Sequence, residues 1–143
     1  MAADPATTST GAHVTFANDL DKETNLQQTI EVPSETLDNL FATIISPNDG
    51  VLLKLDLQGF EMYALKGGTK VLQHIDAVLV EVSFFAQAYE PPIAELVRFF
   101  DECRFDLHDI AALAARRRDN RAHQGDFLFV NRSSGLSKDN LWG

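Results

Sequence analysis

Four polar residues stand near the ends of two apolar runs, and three of them are acids. Asp56 and Gln58 follow the run VLLKL, Glu61 lies shortly after them, and Glu81 interrupts a second run, AVLVEVS. A carboxylate can accept the proton of a substrate hydroxyl, and two neighbouring carboxylates bind a proton more tightly because they repel each other. We therefore expect a pocket in which Asp56, Glu61 and Glu81 are the candidate catalytic residues.

Aromatic residues follow the second apolar run, in a loop where a bound acceptor would lie. Phe84, Phe85 and Tyr89 occupy this loop, and together with Gln58 they are the candidate substrate-binding residues. A structural interpretation stands beside this one, because at least one phenylalanine could complete the apolar core.

Each candidate acid also has a structural interpretation. Asp56 alternates with apolar residues, so its burial would be costly unless it lies at the open end of its strand. Glu61 could merely favour the positive start of a helix, and Glu81 could pair with Lys54. Both interpretations of these acids remain open at the level of the sequence.

The histidine and cysteine patterns indicate no metal site. None of the four histidines is spaced from another as HxxxH, and a single cysteine forms neither an intrachain disulfide nor a thiolate cluster. Cys103 lies in the apolar-periodic segment IAELVRFFDECRF, which favours a buried structural thiol over a nucleophile.

The formal net charge of −9 bears on the partners of the chain. Nucleic-acid binding normally requires a clustered cationic face, so we expect no nucleic-acid partner. The one basic run, ARRRDNR at 115–121, is interpreted as a solvated loop between two strands, since no aromatic residue interleaves with its arginines. No apolar run is long enough to cross a bilayer and no secretory signal is visible, so we expect a cytoplasmic protein without a membrane partner.

The first part of the chain is predicted to contain little regular structure. Residues 1–32 would form a flexible segment with a short strand at 27–32, and Pro33 with Ser34 would open a helix. Turn residues at 46–50 would end that helix. Its apolar residues at helical spacing are Leu37, Leu40, Phe41 and Ile44.

The middle of the chain is predicted to form a strand, a turn and a helix. Apolar residues are nearly continuous over 51–57, which predicts a central strand covered on both faces. Gly59 would turn the chain into the helix FEMYALKGG, which ends at Gly67 and Gly68. A further turn or short helix would carry TKVLQHI.

The remaining segments continue this alternation. A second buried strand is predicted at 76–83, an amphipathic helix over PIAELVRFFDE, and two final strands over RFDLHDI and DFLFVN. This order describes half of a doubly wound α/β sheet, with helices on both faces and an antiparallel hairpin at its C-terminal end. Ligands of such sheets bind beyond the carboxyl ends of the strands, where the candidate acids stand. The apolar side of the amphipathic helix would carry Ile93, Leu96, Val97 and Phe100.

Four blocks of the sequence resemble the FkbM-type methyltransferases. They are ETLDNL at 35–40, LLKLDLQGFEMYALKGG at 52–68, VLVEVSFF at 78–85 and QGDFLFV at 124–130. The resemblance covers residues 33–131, and LKLDLQGFE with the following LKGG is its most specific part.

This resemblance implies a class I methyltransferase fold of Rossmann-like form, with S-adenosylmethionine as cofactor. The methyl group would pass to a hydroxyl oxygen of a small-molecule acceptor, often a sugar or natural product. By resemblance, 51–57 would be the fourth strand of the sheet and 76–83 the fifth, and Gln58 replaces a glutamate that is frequent in the family. Positioning supplies much of the acceleration in such a transfer, and Asp56 would border the site as base or acceptor anchor, supported by Glu61 and Glu81.

One departure from the family concerns the cofactor. The family's first strand ends in a glycine-rich turn that approaches the cofactor, and no such turn precedes residue 33. We therefore expect a partial domain, its C-terminal half, at 33–131 and a tail at 132–143. The chain alone would bind S-adenosylmethionine weakly or not at all, and its cofactor-binding residues are not identified.

Two rival interpretations remain. The chain could be a non-catalytic remnant or interaction module, in which an uncovered sheet edge favours self-association. It could also be another doubly wound enzyme, such as a nucleotide-dependent oxidoreductase, although the same glycine-rich turn would then be missing.

Overall fold

Two ranges of the chain, 33–85 and 92–138, are described by the computed structural model of this protein, and the statements below concern those residues. From Ser34 onward they belong to one unit, Ser34–Gly143. Several predictions lie outside the described residues: the flexible segment and strand within 1–32, the candidate residue Tyr89, and the end of the tail at 139–143.

Helices and strands alternate through the described part of the chain. The three α-helices are α1 (Leu37–Phe41), α2 (Glu61–Lys66) and α3 (Ile93–Glu102), and short 3₁₀ helices span Val71–His74 and Gly135–Ser137. The four strands are β1 (Leu52–Leu55), β2 (Ala77–Ser83), β3 (Phe105–Ala115) and β4 (Ala122–Asn131).

The strands form one open sheet in the order β1-β2-β4-β3. β1 pairs with β2 in parallel, and β4 lies antiparallel between β2 and β3. The protein therefore has the predicted mixed α/β architecture, with a parallel pair of strands and a C-terminal antiparallel hairpin.

One face of the sheet carries the apolar core. Val78 and Val80 of β2 are fully buried, and they lie opposite Phe129 and Phe127 of β4. Phe100 of α3 stacks on Phe129 with ring centres 4.0 Å apart. The buried apolar residues of α2 and α3, and the partly buried ones of α1, pack in this one cluster, so the prediction of helices on both faces is not met among the described residues.

β1 differs from the central, doubly covered strand that was predicted. Among the described residues it pairs with β2 alone, so it lies at one edge of the sheet. Leu52 is 62% exposed and only Leu55 is buried, because the core covers just one face of the strand. The prediction of a strand buried on both faces, made from the nearly continuous apolar run, is therefore wrong for β1 among the described residues.

Two helices also differ from their predicted form. α1 begins after Thr36 rather than at Pro33 and Ser34, because the Thr36 hydroxyl accepts the N–H of Asn39. Its predicted core residues Leu40 and Ile44 are exposed. In α3, Leu96 and Phe100 are buried as predicted, whereas Val97 is 38% exposed and lines a surface pocket beside Phe105 and Phe129.

The β3–β4 hairpin is longer than predicted, and β3 contains two bulges. The β3–β4 pairing skips His108 and Ala111, so each is an extra residue on β3. In a regular strand, residues three positions apart lie on opposite faces. The two bulges of β3 place such residues on the same face. The residues so aligned, here named the apolar stripe, are Leu107, Ile110 and Leu113, and all three are exposed.

A polar network ties three strands where β1 and β2 begin. The Asp76 carboxylate accepts hydrogen bonds from the Ser134 hydroxyl at 2.7 Å and the Val51 N–H at 3.0 Å, and these bonds lower its pKa. Asn131 is buried, and its side-chain amide donates to the carbonyl oxygen of Ile75 at 3.1 Å. This network anchors the end of the sheet opposite the carboxyl ends of β1 and β2.

Candidate functional site

A tight turn after β1 contains two residues with left-handed backbone conformations. Gln58 has a φ of 53° and Gly59 a φ of 101°. Such angles are natural for glycine but uncommon for glutamine, and strained residues persist only where their surroundings hold them. β1 ends at Leu55, so Asp56 stands at the open end of the strand, as expected, with an exposed side chain.

Glu61 holds this turn from within the protein. Its Oε1 accepts the Leu57 N–H at 2.6 Å and its Oε2 accepts the Gly59 N–H at 3.0 Å. The residue is only 5% exposed. Because backbone donors occupy both oxygens, the geometry favours the structural interpretation of Glu61, and its catalytic role stays a prediction.

The side-chain amide of Gln58 brings the other two acids together. Its Nε2 donates to Oδ1 of Asp56 at 3.0 Å and lies 3.5 Å from Oε1 of Glu81. The Lys54 ammonium lies 3.2 Å from Oδ2 of Asp56, so Lys54 pairs with Asp56 and not with Glu81. Asp56, Gln58 and Glu81 are here called the acid edge.

Glu81 is half-buried on β2 and its pKa is raised. Burial is the largest cause, and the negative charge of Asp56 is the next. A hydrogen bond with Gln124 opposes the shift, while the charges of Glu61 and Asp126 add to it. Glu81 therefore binds a proton more readily than an ordinary glutamate, as expected for neighbouring acids.

β4 adds two polar residues that the sequence did not identify as part of the site. Asp126 lies opposite Glu81 and Gln124 lies opposite Ser83 in the β2–β4 pairing, and both are half-buried. Their proximity depends on the register between strands that are distant in the sequence. No local pattern of residues reveals that register.

The two phenylalanines after β2 have different surroundings. The Phe84 ring meets Phe127 edge-on, with ring centres 5.8 Å apart, and packs against the core. This packing favours the structural alternative for Phe84, and its substrate-binding role stays a prediction. Phe85 instead lies against two guanidinium groups, those of Arg116 at 5.0 Å and Arg121 at 4.2 Å from its ring centre.

Residues 116–121, here named the hairpin tip, form the predicted loop between β3 and β4. Nε of Arg116 donates to Asp119 at 3.1 Å, and the Arg116 N–H donates to the Arg121 carbonyl at 2.9 Å. Arg117 and Arg118 are exposed. The sequence shows no aromatic residue among these arginines, yet the fold supplies Phe85 from another segment.

Other kinds of site find little support in the ranges that the structure describes. In those ranges no group of three or more histidine, cysteine or acidic side chains could hold a metal ion. Cys103 is half-buried, and burial, followed by the charge of Glu102, raises the pKa of its thiol, which makes it a poor nucleophile. None of the described helices has the length and apolar character needed to cross a membrane.

The acid edge can bind a cation and accept a proton. Asp56 is exposed beyond the carboxyl end of β1, and its carboxylate is oriented by Lys54 and Gln58. Such a group can remove the proton of a hydroxyl that lies against it. Glu81 and Asp126 add negative charge beside it, which suits a positively charged ligand.

Comparison with known proteins identifies a family. The family described as the methyltransferase FkbM domain matches residues 2–107, which is more than half of the chain. The matched range includes the acid edge and the loop after β2, and it ends within β3. No curated protein and no solved structure matches the chain.

Proposed function

Because the chain belongs to the FkbM methyltransferase domain family, we propose that it acts in the transfer of a methyl group from S-adenosylmethionine to a hydroxyl oxygen of a sugar or other small molecule. The single observation that supports this site most strongly is the contact of one amide, that of Gln58, with both Asp56 and Glu81. It joins the ends of two neighbouring strands at the position where ligands of α/β sheets bind.

Asp56 is the base in this proposal. Its carboxylate would accept the proton of the acceptor hydroxyl as the oxygen attacks, and Lys54 and Gln58 would keep it oriented. Glu81 would anchor the acceptor as a hydrogen-bond acceptor beside Asp56. Glu61 is a positioning residue, because it fixes the turn that carries Gln58.

The acid edge suits the proposed cofactor by its charge. When bound, S-adenosylmethionine would supply the methyl group from a positively charged sulfonium, and Asp56 and Glu81 would favour that charge. The turn after β1 has the strand–glycine–helix order of a nucleotide-binding turn, but Glu61 already occupies the N–H groups of Leu57 and Gly59. The described residues therefore offer electrostatic complementarity, with no backbone cradle at this turn.

A pair of matched substitutions tests the proposal. Asp56→Asn removes an exposed base, so methyl transfer should fall about 100-fold or more while stability is retained. Glu61→Gln should instead lower the free energy of unfolding by about 1–3 kcal/mol, because a buried backbone N–H loses its carboxylate partner. Transfer of labelled methyl groups to a panel of monosaccharides measures activity, and urea denaturation measures stability.

The outcome separates the two roles. Full turnover of Asp56→Asn with an unchanged pH profile would exclude Asp56 as the base. If the unsubstituted chain transfers no methyl group even at S-adenosylmethionine concentrations high enough to overcome the weak binding expected of the chain alone, the catalytic proposal fails and the second candidate below gains support.

The apolar stripe of β3 favours that second candidate, an interaction module. The outer edge of β3 is unpaired among the described residues. The three apolar side chains of the stripe are exposed on one face of this strand. Leu107 and Leu113 are equally spaced about Ile110, so a two-fold axis at Ile110 would bring Leu107 of one chain against Leu113 of another. The partner that this symmetry fits is a second copy of the chain.

A further inference from the structure

The hairpin tip is a positive feature on an acidic protein. The whole chain has 21 acidic and 12 basic residues, whereas the tip contains four arginines and one aspartate within six residues. The chain as a whole has a net charge of −9, so a cluster of four arginines is unusual in it, and methyl transfer does not explain the cluster. Clustered guanidinium groups are typical of sites that bind anions.

The tip is held in place by packing as well as by its own hydrogen bonds. Arg116 and Arg121 both lie against the ring of Phe85, and Arg116 also pairs with Asp119. These contacts fix the base of the turn to the segment that follows β2. Arg117 and Arg118 are exposed; Nε of Arg118 lies 3.7 Å from Oδ2 of Asp119, and 76% of the Arg118 side chain remains exposed.

The tip lies at the same end of the sheet as the acid edge. β2 runs toward this end, and its last residue, Ser83, pairs with Gln124 of β4. The tip ends at Arg121, three residues before Gln124. Asp126, which lies opposite Glu81, stands five positions after Arg121 along the chain. At the rise of an extended strand this corresponds to roughly 17 Å, a span longer than a single sugar ring.

We propose that the hairpin tip binds a phosphate-type anionic group carried by the methyl acceptor, at a distance from the hydroxyl that is methylated. The assignment to the acceptor depends on the proposed methyl transfer, whereas anion binding itself does not. The acid edge repels a phosphate and the arginines attract it, so the two charged ends would orient an extended acceptor in one direction. Guanidinium groups match phosphate oxygens in two-pronged hydrogen bonds, which favours this class of anion.

A small anion fits the surface better than a nucleic acid does. A polyanion would need several phosphate contacts along a cationic face. Next to the tip, the sheet instead presents Asp126 and Glu81, whose negative charges would repel a second segment of backbone. The positive area is therefore limited to the tip.

Titration of the full chain with inorganic pyrophosphate tests the proposal. Arginine side-chain signals in NMR spectra report binding at individual guanidinium groups. We expect the signals of the tip to shift, and the double variant Arg117→Gln/Arg118→Gln to bind pyrophosphate about tenfold more weakly or worse. Phe85→Leu should also weaken binding, because the two arginines lose the ring that fixes them.

The matched control is Arg98→Gln/Arg104→Gln, which removes the same charge from exposed arginines elsewhere. It should bind pyrophosphate as the unsubstituted chain does. Equal weakening in both double variants, or no shift at the tip, would overturn the proposal. Tighter binding of a single-stranded DNA oligonucleotide that increases with its length would also overturn it, in favour of a nucleic-acid surface. The titration contains neither S-adenosylmethionine nor an acceptor hydroxyl, so its result is independent of the methyl-transfer assay.

Discussion

Three acids that lie close together in the fold have different surroundings. Asp56 is exposed and oriented by Lys54 and Gln58, whereas Glu61 is buried with both oxygens bonded to the backbone. Glu81 lies between these extremes, half-buried and close to other negative charges. The same carboxyl group therefore has three different environments in this fold: an exposed one that is oriented by its neighbours, a buried one that supports a turn, and a half-buried one that binds a proton more tightly than usual.

Replacement of Glu81 by glutamine should stabilise the protein at neutral pH. The raised pKa means that the folded chain binds this proton more tightly than the unfolded chain does. From the ordinary glutamate pKa of about 4.3 up to the raised value, the folded state holds more protons, so its stability falls as the pH rises. Glu81→Gln should thus melt at a higher temperature than the unsubstituted chain near neutral pH, and this difference should disappear below about pH 4.

The matched control for this prediction is Glu95→Gln. Glu95 is an exposed glutamate of α3 whose carboxylate lies 3.5 Å from the Lys66 ammonium, and surface pairs of this kind contribute little. Its melting temperature should follow that of the unsubstituted chain at both pH values. A lower melting temperature of Glu81→Gln at both pH values would contradict the argument.

The residue types of the site could be predicted from the sequence, but their individual roles could not. The end of an apolar run located Asp56, and the following glycine located the turn. The left-handed conformation of Gln58 and the pairing of Glu81 with Asp126 arise from the packed fold and from contacts between distant segments. Contacts between residues that are distant in the sequence produce no periodic pattern of residue types.

At the scale of elements, the close packing of the β3–β4 hairpin depends on a glycine. Gly125 lies opposite Leu113, and β3 approaches it closely. An added Cβ would lie 2.8 Å from the Ala112 carbonyl oxygen and 2.9 Å from Cδ2 of Leu113. A backbone oxygen cannot yield as a side chain can, so only glycine fits without displacement of β3.

The substitution Gly125→Ala should therefore destabilise the protein by about 1–3 kcal/mol, the usual cost of overpacking. Gly135→Ala is the control, since its added Cβ would meet nothing within 4 Å. Urea denaturation measures both variants. If Gly125→Ala and Gly135→Ala have the same free energy of unfolding, β3 moves to accommodate the added methyl group without loss of stability, and the prediction is wrong.

The existence of the elements was predictable, whereas the burial of their faces was not. Apolar periodicity located β2 and α3 well, since their buried residues face the core directly. β3 extends beyond its predicted end because pairing with β4 continues through alanine-rich residues and two bulges. The exposure of Leu52 follows from the position of β1 at the edge of the described sheet, which composition alone does not determine.

At the scale of the whole molecule, the apolar stripe predicts self-association. Leu113→Lys would place a charge in the proposed interface between two copies, so the concentration-dependent increase in mass expected of the unsubstituted chain should be lost. Light scattering over a range of protein concentrations measures the mass.

Leu136→Lys provides the control for this experiment. Leu136 is 59% exposed and Leu113 is 60% exposed, but Leu136 lies outside the stripe. This variant should associate as the unsubstituted chain does. A monomeric unsubstituted chain at high concentration, or loss of association in both variants, would exclude the stripe as a specific interface.

The polar network of Asp76, Asn131 and Ser134 lies at the end of the sheet that carries none of the candidate site residues. Substitutions at the opposite end of the sheet therefore do not affect the hydrogen bonds of this network, which keep β1, β2 and β4 in register. Residues that would contact the acceptor in the proposed function can therefore change there while the network keeps the sheet folded. Under the proposed function, single substitutions at that end of the sheet would thus change the preferred acceptor without unfolding the protein.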